Sequence, residues 1–256
     1  MSRKLSKRKK REREVYLVKE KEKIMEGVFD SRTLLNITKF FNQKIISRLL
    51  FVISTGKEAD VYLAESGDAV VDKNVAVKIF RLETSSFVKR VNYINGDPRF
   101  GRMSSKIQNI VKIWCSKEFG NLKLATELGV SCPRPYKAIG NVIAMEFIGD
   151  REGTPAFMLK DVILDNPEKT LNEILENIKL LYKGKLVHSD ISEYNILINN
   201  GKPYLIDFGQ AVILGHPKFE EFFTRDVNIL INYFNKKYNL QKDAENIIAE
   251  IKKTVR

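Results

Sequence analysis

The sequence is poor in cysteine and histidine, with two residues of each in 256. Cys115 and Cys132 are too few for a disulfide framework, and we interpret both as reduced thiols. His188 and His216 are too few for a histidine-based metal centre. No apolar run approaches the length of a bilayer-spanning helix, and the charged N-terminus is unlike a secretion signal. We therefore expect a cytoplasmic protein that contacts no membrane.

Acidic residues are also outnumbered by basic ones. The sequence has 32 Asp and Glu and 44 Lys and Arg, which gives a net charge of +12. Residues 1–24 concentrate the positive charge, as in Lys7-Arg8-Lys9-Lys10-Arg11. Such a segment cannot bury enough apolar surface to order itself, so we predict a basic flexible arm. The charge favours a polyanionic partner such as RNA. A solvated tail without a partner is the alternative.

The next segment, residues 25–50, predicts an N-terminal helical extension. Asp30 or Ser31 can cap a helix, and four apolar residues recur on one of its faces. These four residues are Leu34, Ile37, Phe41 and Ile45. The whole chain is 43% apolar, which is enough for a substantial core in one large domain or two lobes.

Residues 186–208 combine two short apolar strands with three polar residues at the strand ends. Asn199-Asn200-Gly201 is a tight-turn signal and predicts a β-hairpin. This hairpin places Asp190, Asn195 and Asp207 toward one cleft. Carboxylate and amide oxygens suit a hard divalent cation that bridges phosphates, which describes Mg²⁺. The remaining carboxylate can orient a nucleophile.

The same stretch resembles two loops of protein kinases. His188-x-Asp190-x-x-x-x-Asn195 followed by Asp207-Phe208-Gly209 matches the catalytic loop and the metal loop, in that order. A surface hairpin with incidental acids is the alternative. The kinase layout implies an α+β, two-lobed fold. Its small lobe, residues 51–147, would hold an antiparallel sheet and one main helix, and its large lobe, residues 148–256, would be mainly helical.

A short loop between two predicted strands resembles a reduced version of the kinase glycine-rich loop. Ser54, Gly56, Ala59 and Val61 stand at the fixed positions of G-x-G-x-x-G-x-V. Small residues at these positions still let main-chain N–H groups approach phosphates. The residues predicted to contact ATP here are Ser54, Thr55, Gly56, Lys57, Glu58, Ala59 and Val61.

Lys78 lies in a predicted strand over residues 75–79 and resembles the kinase lysine that holds phosphates. Its expected partner is Glu118, which lies on the apolar stripe of a helix, four residues after Trp114 and four before Leu122. A carboxylate that faces the interior needs a cation. The alternatives are a lysine that faces water and a helix rotated so that the carboxylate is solvated.

Two further segments follow from the kinase layout and from loop length. Residues 84–103 are long for a strand-to-helix connection and mix cations with Tyr93 and Phe100. We predict that they form a mobile flap over the nucleotide, with a disordered insertion as the alternative. The residues that the kinase layout implies at the adenine hinge are Met145, Glu146, Phe147 and Ile148.

The end of the chain departs from ordinary kinases, because too few residues follow Phe208 for an activation loop and peptide-docking helices. Ser192-Glu193-Tyr194-Asn195 and Gln210-Ala211-Val212, together with residues 54–59, resemble the RIO family of atypical serine/threonine protein kinases. Within that family they resemble the Rio-one branch. The resemblance implies a trimmed kinase fold that binds ATP with Mg²⁺ or Mn²⁺, phosphorylates itself and acts in maturation of the small ribosomal subunit.

The resemblance also assigns roles by matched position. Asp190 and Asp207 are the implied catalytic residues, Asn195 and Asp207 hold metal, Lys78 clamps phosphates, and Asp226 hydrogen-bonds the catalytic-loop backbone. The implied partners are the pre-small ribosomal subunit and its RNA, contacted by the arm and the flap, with no role for DNA. An ATPase that times release from that particle and a small-molecule kinase of the aminoglycoside type are the alternative functions.

Overall fold

The computed structural model describes residues 29–82, 93–94, 96–100 and 107–254. The predicted arm over residues 1–24 lies outside the described residues, as does most of the predicted flap over residues 84–103. Within the described ranges, no helix is both long and apolar enough to cross a membrane.

The small lobe is built on one antiparallel sheet. Its strands are β1 (Ile46–Thr55), β2 (Ala59–Ser66), β3 (Asn74–Phe80), β4 (Pro135–Ile139) and β5 (Val142–Glu146). Their order across the sheet is β1-β2-β3-β5-β4. β3 is central and almost wholly buried, as its continuous apolar run predicts. Lys78 pairs with Val61 of β2 and with Ile143 of β5, which fixes where its side chain leaves the sheet.

Helices cover both faces of this sheet. Helix α1 (Ser31–Asn42) packs Ile37 and Phe40 against one face, and helix α2 (Ile107–Glu127) packs against the other. The Asp30 carboxylate accepts the main-chain N–H groups of Arg32 and Thr33 at 3.0 Å, so Asp30 caps α1 as predicted. The side of β3 that carries Lys78 is therefore the side that faces α2 and the cleft.

The buried face of α1 differs from the predicted one. Ile37 is buried, as predicted, and so is Ile45, which lies beyond the last residue of the helix. Leu34 and Phe41 are only half-buried. Thr33 and Asn36 are buried in their place. These polar side chains can be buried because a distant residue, Asn141, hydrogen-bonds both of them, at 2.8 Å and 3.0 Å. Residues 46–50, at the end of the predicted extension, form the start of β1.

The large lobe is mainly helical, with α3 (Pro167–Lys183), α4 (Phe219–Tyr238) and α5 (Ala244–Lys253). Its short strands are β6 (Phe157–Met158), β7 (Leu186–Val187), β8 (Ile196–Asn199), β9 (Lys202–Leu205) and β10 (Val212–Ile213). Single 3₁₀ turns lie at Leu159–Asp161 and Phe208–Gln210. The α+β fold with two lobes, a small lobe with an antiparallel sheet and a mainly helical large lobe, is therefore as predicted.

The hairpin β8–β9 has the predicted turn. Asn200 and Gly201 both have positive φ, at 50° and 76°, which suits a type I′ turn between twisted strands. The main-chain N–H of Ile206 donates to the carbonyl of Asn195 at 3.0 Å beyond the paired residues. Asn195 and Asp207 therefore lie at the same end of the hairpin, next to the small lobe.

The described part of the predicted flap packs against the large lobe. The ring of Tyr93 stacks on Phe222 of α4 with centroids 5.4 Å apart, and Ile94 is buried. Asp97 is also buried, and the Arg99 guanidinium hydrogen-bonds its carboxylate at 2.6 Å and 2.9 Å. Whether the rest of residues 84–103 covers a nucleotide remains a prediction.

Candidate active site

A cleft of about 440 Å³ lies between the small-lobe sheet and the β8–β9 hairpin. The predicted residues that line it are Ser54, Gly56, Lys57, Glu58, Ala59, Val61, Lys78, Glu118, Met145, Glu146, Phe147, Ile148, Asn195 and Asp207. Two predicted residues are not part of this lining. Thr55 pairs with Asp60 at the end of β1, and Asp190 is hydrogen-bonded to Asn195, which is part of the lining.

The cleft also has an apolar lining that the sequence analysis did not assign to it. These residues are Ile53, Ala76, Phe80, Leu122, Pro133, Pro155, Ala156, Met158, Tyr194, Leu197 and Ile206. Most lie on strands or at strand ends, where alternation of side chains decides which face a residue takes. Alternation counted outward from Lys78 could have found Ala76 and Phe80. An apolar lining with a few charged groups at one end suits a ligand with a planar ring and a phosphate tail.

Lys78 is the charged centre of the cleft. Its Nζ donates to the Glu118 carboxylate at 2.7 Å and 2.9 Å and to Asp207 Oδ1 at 3.1 Å. Glu118 is only 1% exposed, so the ion pair expected from the apolar stripe of α2 is present. Burial alone lowers the pKa of Lys78, but the Asp207 and Glu118 carboxylates outweigh it and raise that pKa above its usual value. The lysine therefore stays charged inside the cleft.

The Asp190 carboxylate is held by two side-chain amides. Asn195 Nδ2 donates to Asp190 Oδ2 at 3.0 Å and to the Asp190 carbonyl at 2.8 Å. Gln210 Nε2 donates to the same Oδ2 at 2.9 Å. The Asn195 amide nitrogen is thus used by Asp190, so Oδ1 is the Asn195 atom that could hold a cation. Gln210 is therefore a further site residue, and its contact with Asp190 was not predicted from the sequence.

Two residues of the site have left-handed backbone conformations. Asp207 has φ 65° and ψ 67°, and Ser189 has φ 64°. Such conformations are uncommon for residues other than glycine and concentrate at functional sites. At Asp207 the chain leaves β9 and enters the 3₁₀ turn, so the conformation turns the carboxylate toward Lys78.

Asp226 of α4 holds the catalytic loop through its backbone, as the kinase resemblance implies. Its carboxylate accepts the N–H groups of Ser189 at 2.7 Å and Ile191 at 3.4 Å. The neighbouring Arg225 donates to the Ser189 carbonyl. Burial raises the pKa of Asp226 to about 7, although Arg225 and the two N–H groups oppose this shift. The left-handed conformation of Ser189 is thus held by hydrogen bonds to both its main-chain N–H and its carbonyl.

His188 is a buried structural residue of the loop. Its Nε2 contacts the Ile206 carbonyl at 3.0 Å, and its ring lies 4.6 Å from that of Phe208. Burial lowers the pKa of His188 to about 4, so the ring is neutral and Nε2 is the protonated donor. Within the described residues, Nδ1 has no hydrogen-bond partner. The ring ties the catalytic loop to the strand end that leads into Asp207.

The loop between β1 and β2 is short and closed by its own backbone. The N–H of Gly56 donates to the Ala59 carbonyl at 3.0 Å, and a Cβ at Gly56 would lie 3.1 Å from that oxygen. Glycine therefore suits this close approach, which explains why the central glycine of the reduced motif is the one present.

Both cysteines are buried and free, and burial raises the pKa of Cys132 to about 11.

The fold and the cleft together define a protein kinase, with a trimmed large lobe. A model of the RIO domain matches residues 60–247. The RIO-type serine/threonine-protein kinase Rio1 of Haloferax volcanii is 39% identical over 215 residues, which cover 84% of this chain and 73% of the relative. The protein of the same description from Methanocaldococcus jannaschii is 39% identical over 211 residues, covering 82% and 71%.

A solved structure of a RIO-family kinase also resembles this chain. The crystal structure of a Rio2 kinase–ADP/Mg²⁺–phosphoaspartate complex from Chaetomium thermophilum matches with a TM-score of 0.66 and 25% identity, covering 87% of this chain and 66% of that one. The chain belongs to the RIO family of atypical serine/threonine protein kinases, and its relatives place it in the Rio1 branch. The expected family and enzyme class are therefore confirmed, and they favour a protein kinase over the small-molecule alternative.

Proposed function

We propose that the chain transfers the γ-phosphoryl group of ATP, with Mg²⁺ or Mn²⁺, to protein serine or threonine and to itself. We further propose that this turnover serves maturation of the small ribosomal subunit. The observation that carries the first proposal is Lys78, a buried ammonium held between Glu118 and Asp207 at the end of an apolar cleft. The Rio2 relative, described with ADP and Mg²⁺, supports the same ligands here.

The donor set fits a metal–nucleotide ligand. The Asp207 side chain is 39% exposed toward the cleft, and Asn195 Oδ1 is turned away from Asp190. A carboxylate and an amide oxygen are ligands that Mg²⁺ accepts while keeping several waters. Bound Mg·ATP would supply the transferable phosphoryl group, with its charge partly neutralised by the metal. Lys78 would bind phosphate oxygens, and Glu118 would keep the Lys78 ammonium in place.

Asp190 would orient the group that attacks. Its carboxylate is fixed in direction by Asn195 and Gln210, which lock one oxygen. A preoriented carboxylate can accept the proton of a hydroxyl or a water as the new bond to phosphorus forms. The same carboxylate could orient water as the attacking group.

Asp207 is itself a proposed acceptor. In this step an Asp207 carboxylate oxygen forms the bond to the γ-phosphorus, the bond from that phosphorus to the bridging oxygen breaks, and ADP leaves. Water then hydrolyses the acyl phosphate. The Chaetomium Rio2 structure is described as a phosphoaspartate complex, which supports the proposal for this chain.

The test is the chemistry of the protein-bound label from γ-labelled ATP. An acyl phosphate at Asp207 is released by hydroxylamine, whereas phosphoserine and phosphothreonine are not. We expect a hydroxylamine-labile fraction that disappears in Asp207→Asn. Label confined to hydroxylamine-stable linkages would contradict the acceptor role of Asp207, and absence of any label or turnover with Mg·ATP would contradict the proposed activity as a whole.

The proposed partner is the RNA of the pre-small ribosomal subunit, contacted by the basic arm. Lysine and arginine contacts to phosphates release counterions, so affinity should fall linearly with salt on logarithmic axes. One face of the Tyr93 ring is covered by Phe222, so that face is not available to stack on a base. Deleting residues 1–10 should weaken binding to small-subunit RNA and reduce the salt slope while leaving ATP turnover in isolation unchanged. An unchanged slope in anisotropy titrations would contradict the role of the arm.

A further inference from the structure

Helix α2 contacts the metal loop through a face that the kinase motifs do not describe. Trp114, Lys117 and Asn121 lie three and four residues apart, so they share one side of the helix. Lys117 is 0% exposed, and its Nζ donates to the carbonyls of Gly209, at 3.1 Å, and Ala211. A fully buried ammonium is costly unless it is hydrogen-bonded, and here its acceptors are two main-chain carbonyls of the loop.

Asn121 completes the contact one helical turn further on. Its Nδ2 donates to the Phe208 carbonyl at 2.8 Å and to the Ala211 carbonyl at 3.0 Å. Its Oδ1 accepts from the Arg99 guanidinium at 2.8 Å, which fixes the amide so that the NH₂ group faces the loop. Lys117 and Asn121 therefore bind three carbonyls within four residues of the metal loop, directly after Asp207.

The metal loop also lies unusually close to α2. A Cβ at Gly209 would lie 2.8 Å from Nε1 of Trp114, so a residue with a side chain could not take this position without a shift. Burial lowers the pKa of Lys117 to about 7, although the Asp97 and Glu118 carboxylates oppose the shift. The loop is thus packed against Trp114 and hydrogen-bonded on both sides of that contact.

Neighbouring residues of one helix serve the two halves of the site. Consecutive positions on an α-helix point about 100° apart, so Glu118 reaches Lys78 while Lys117 reaches the loop after Asp207. We propose that Lys117 and Asn121 form a carbonyl clamp, and that both are positioning residues which fix Asp207 relative to Lys78. A displacement of α2 would then break the Lys78–Glu118 pair and release the metal loop together.

The clamp is tested with Lys117→Met and with Asn121→Leu as a second variant should the first fail to fold. Lys123→Met is the matched control, because Lys123 is an exposed lysine of the same helix. In the nucleotide-free protein, hydrogen exchange of residues 208–213 should be about tenfold faster or more in both clamp variants, as expected for loss of hydrogen bonds to a charged or buried donor. The control should exchange like the wild type.

The link to Asp207 is tested by the Mg²⁺ concentration that half-saturates ATP turnover, and this part rests on the proposed function. We expect it to rise severalfold in the clamp variants and to stay unchanged in Lys123→Met. Unchanged exchange of residues 208–213, equal acceleration throughout the protein, or local acceleration with an unchanged Mg²⁺ dependence would each overturn the clamp. Turnover of the wild type without any divalent cation would overturn the proposed function, and the exchange comparison would still decide whether the clamp holds the loop.

Discussion

The two sides of the cleft are held in place by different interactions. On the small-lobe side, Lys78 is fixed by opposite charges, those of Glu118 and Asp207. On the large-lobe side, the catalytic loop is fixed mainly by hydrogen bonds to its backbone. The Asp226 carboxylate accepts the main-chain N–H groups of Ser189 and Ile191. One side is therefore positioned by Coulomb attraction in a buried environment and the other by directional hydrogen bonds.

This difference has a chemical reason. An ammonium that binds phosphates must remain charged after burial, and neighbouring carboxylates ensure this. A carboxylate that orients an attacking group must keep a fixed direction, and amide donors such as those of Asn195 and Gln210 provide that without adding charge. The two sides should consequently respond differently to substitution and to pH.

The largest expected effect is on the small-lobe side. Lys78→Met should reduce the rate of ATP turnover roughly 100-fold or more, because a charge contact to the transition state is worth about 2–4 kcal/mol. It should also destabilise the fold, because the buried Glu118 loses its main partner. Steady-state turnover and urea unfolding measure the two effects.

A double variant separates these two effects. The double variant Lys78→Met/Glu118→Leu also removes the buried carboxylate that Lys78→Met leaves without its cation. Its stability should therefore be higher than that of Lys78→Met, while its turnover should stay low. A folded double variant with the turnover of the wild type would show that the charged side of the cleft is not needed for the reaction.

A smaller effect is expected at Asp226, on the other side. Its folded-state pKa of about 7 is above the usual value of 3.8, so between about pH 4 and pH 7 the folded protein binds more protons than the unfolded one. This group therefore lowers the free energy of unfolding as pH rises through that window, by at most about 1.4 kcal/mol per pH unit. Asp226→Asn cannot titrate and should lack this contribution.

The measurement is urea unfolding of wild type and Asp226→Asn at pH 5 and pH 8. The stability of the wild type relative to the variant should be greater at pH 5 than at pH 8. Asp165→Asn, at an exposed carboxylate, is the control. A difference between wild type and Asp226→Asn that is the same at both pH values would contradict the raised pKa.

The smallest effect should come from the hydrogen bonds that join α1 to the sheet, on the side away from Lys78. Asn141→Leu leaves buried Thr33 and Asn36 without their common partner, and a buried polar group without a partner typically costs about 1–3 kcal/mol. The free energy of unfolding should fall by that order, with turnover at low temperature unchanged. Leu35→Ala, at a side chain that is 64% exposed, should not change stability. Equal stability of Asn141→Leu and wild type would contradict the importance of this network.

Parts of the site could be predicted because their signal is local in the sequence. Glu118 stands out as a carboxylate within an apolar stripe, and the residues 199–201 mark the hairpin that places Asn195 and Asp207. Burial of a charge requires a partner of opposite charge, so a cation was expected beside Glu118, and the resemblance of Lys78 to the kinase lysine identified which one.

Other parts could not be predicted because their partners are main-chain groups or distant residues. Lys117 and Asn121 bind carbonyls about 90 residues later in the chain, and every residue has such a carbonyl. Thr33 and Asn36 look like solvent-facing helix positions until Asn141, more than 100 residues away, pairs with them. Binary patterning therefore placed the buried face of α1 about one residue away from its actual position, with Ile37 common to both.

The most direct test of the account is calorimetric titration of Asp190→Ala and Asp207→Ala with a non-hydrolysable ATP analogue and Mg²⁺. In the proposed function Asp190 orients the attacking group, so Asp190→Ala should bind the nucleotide like the wild type and have no turnover. Asp207 contacts Lys78 and in the proposed function also holds the metal, so Asp207→Ala should bind the nucleotide more weakly whenever Mg²⁺ is present. Equal nucleotide affinities of the two folded variants in Mg²⁺ would contradict the division of roles between these two carboxylates.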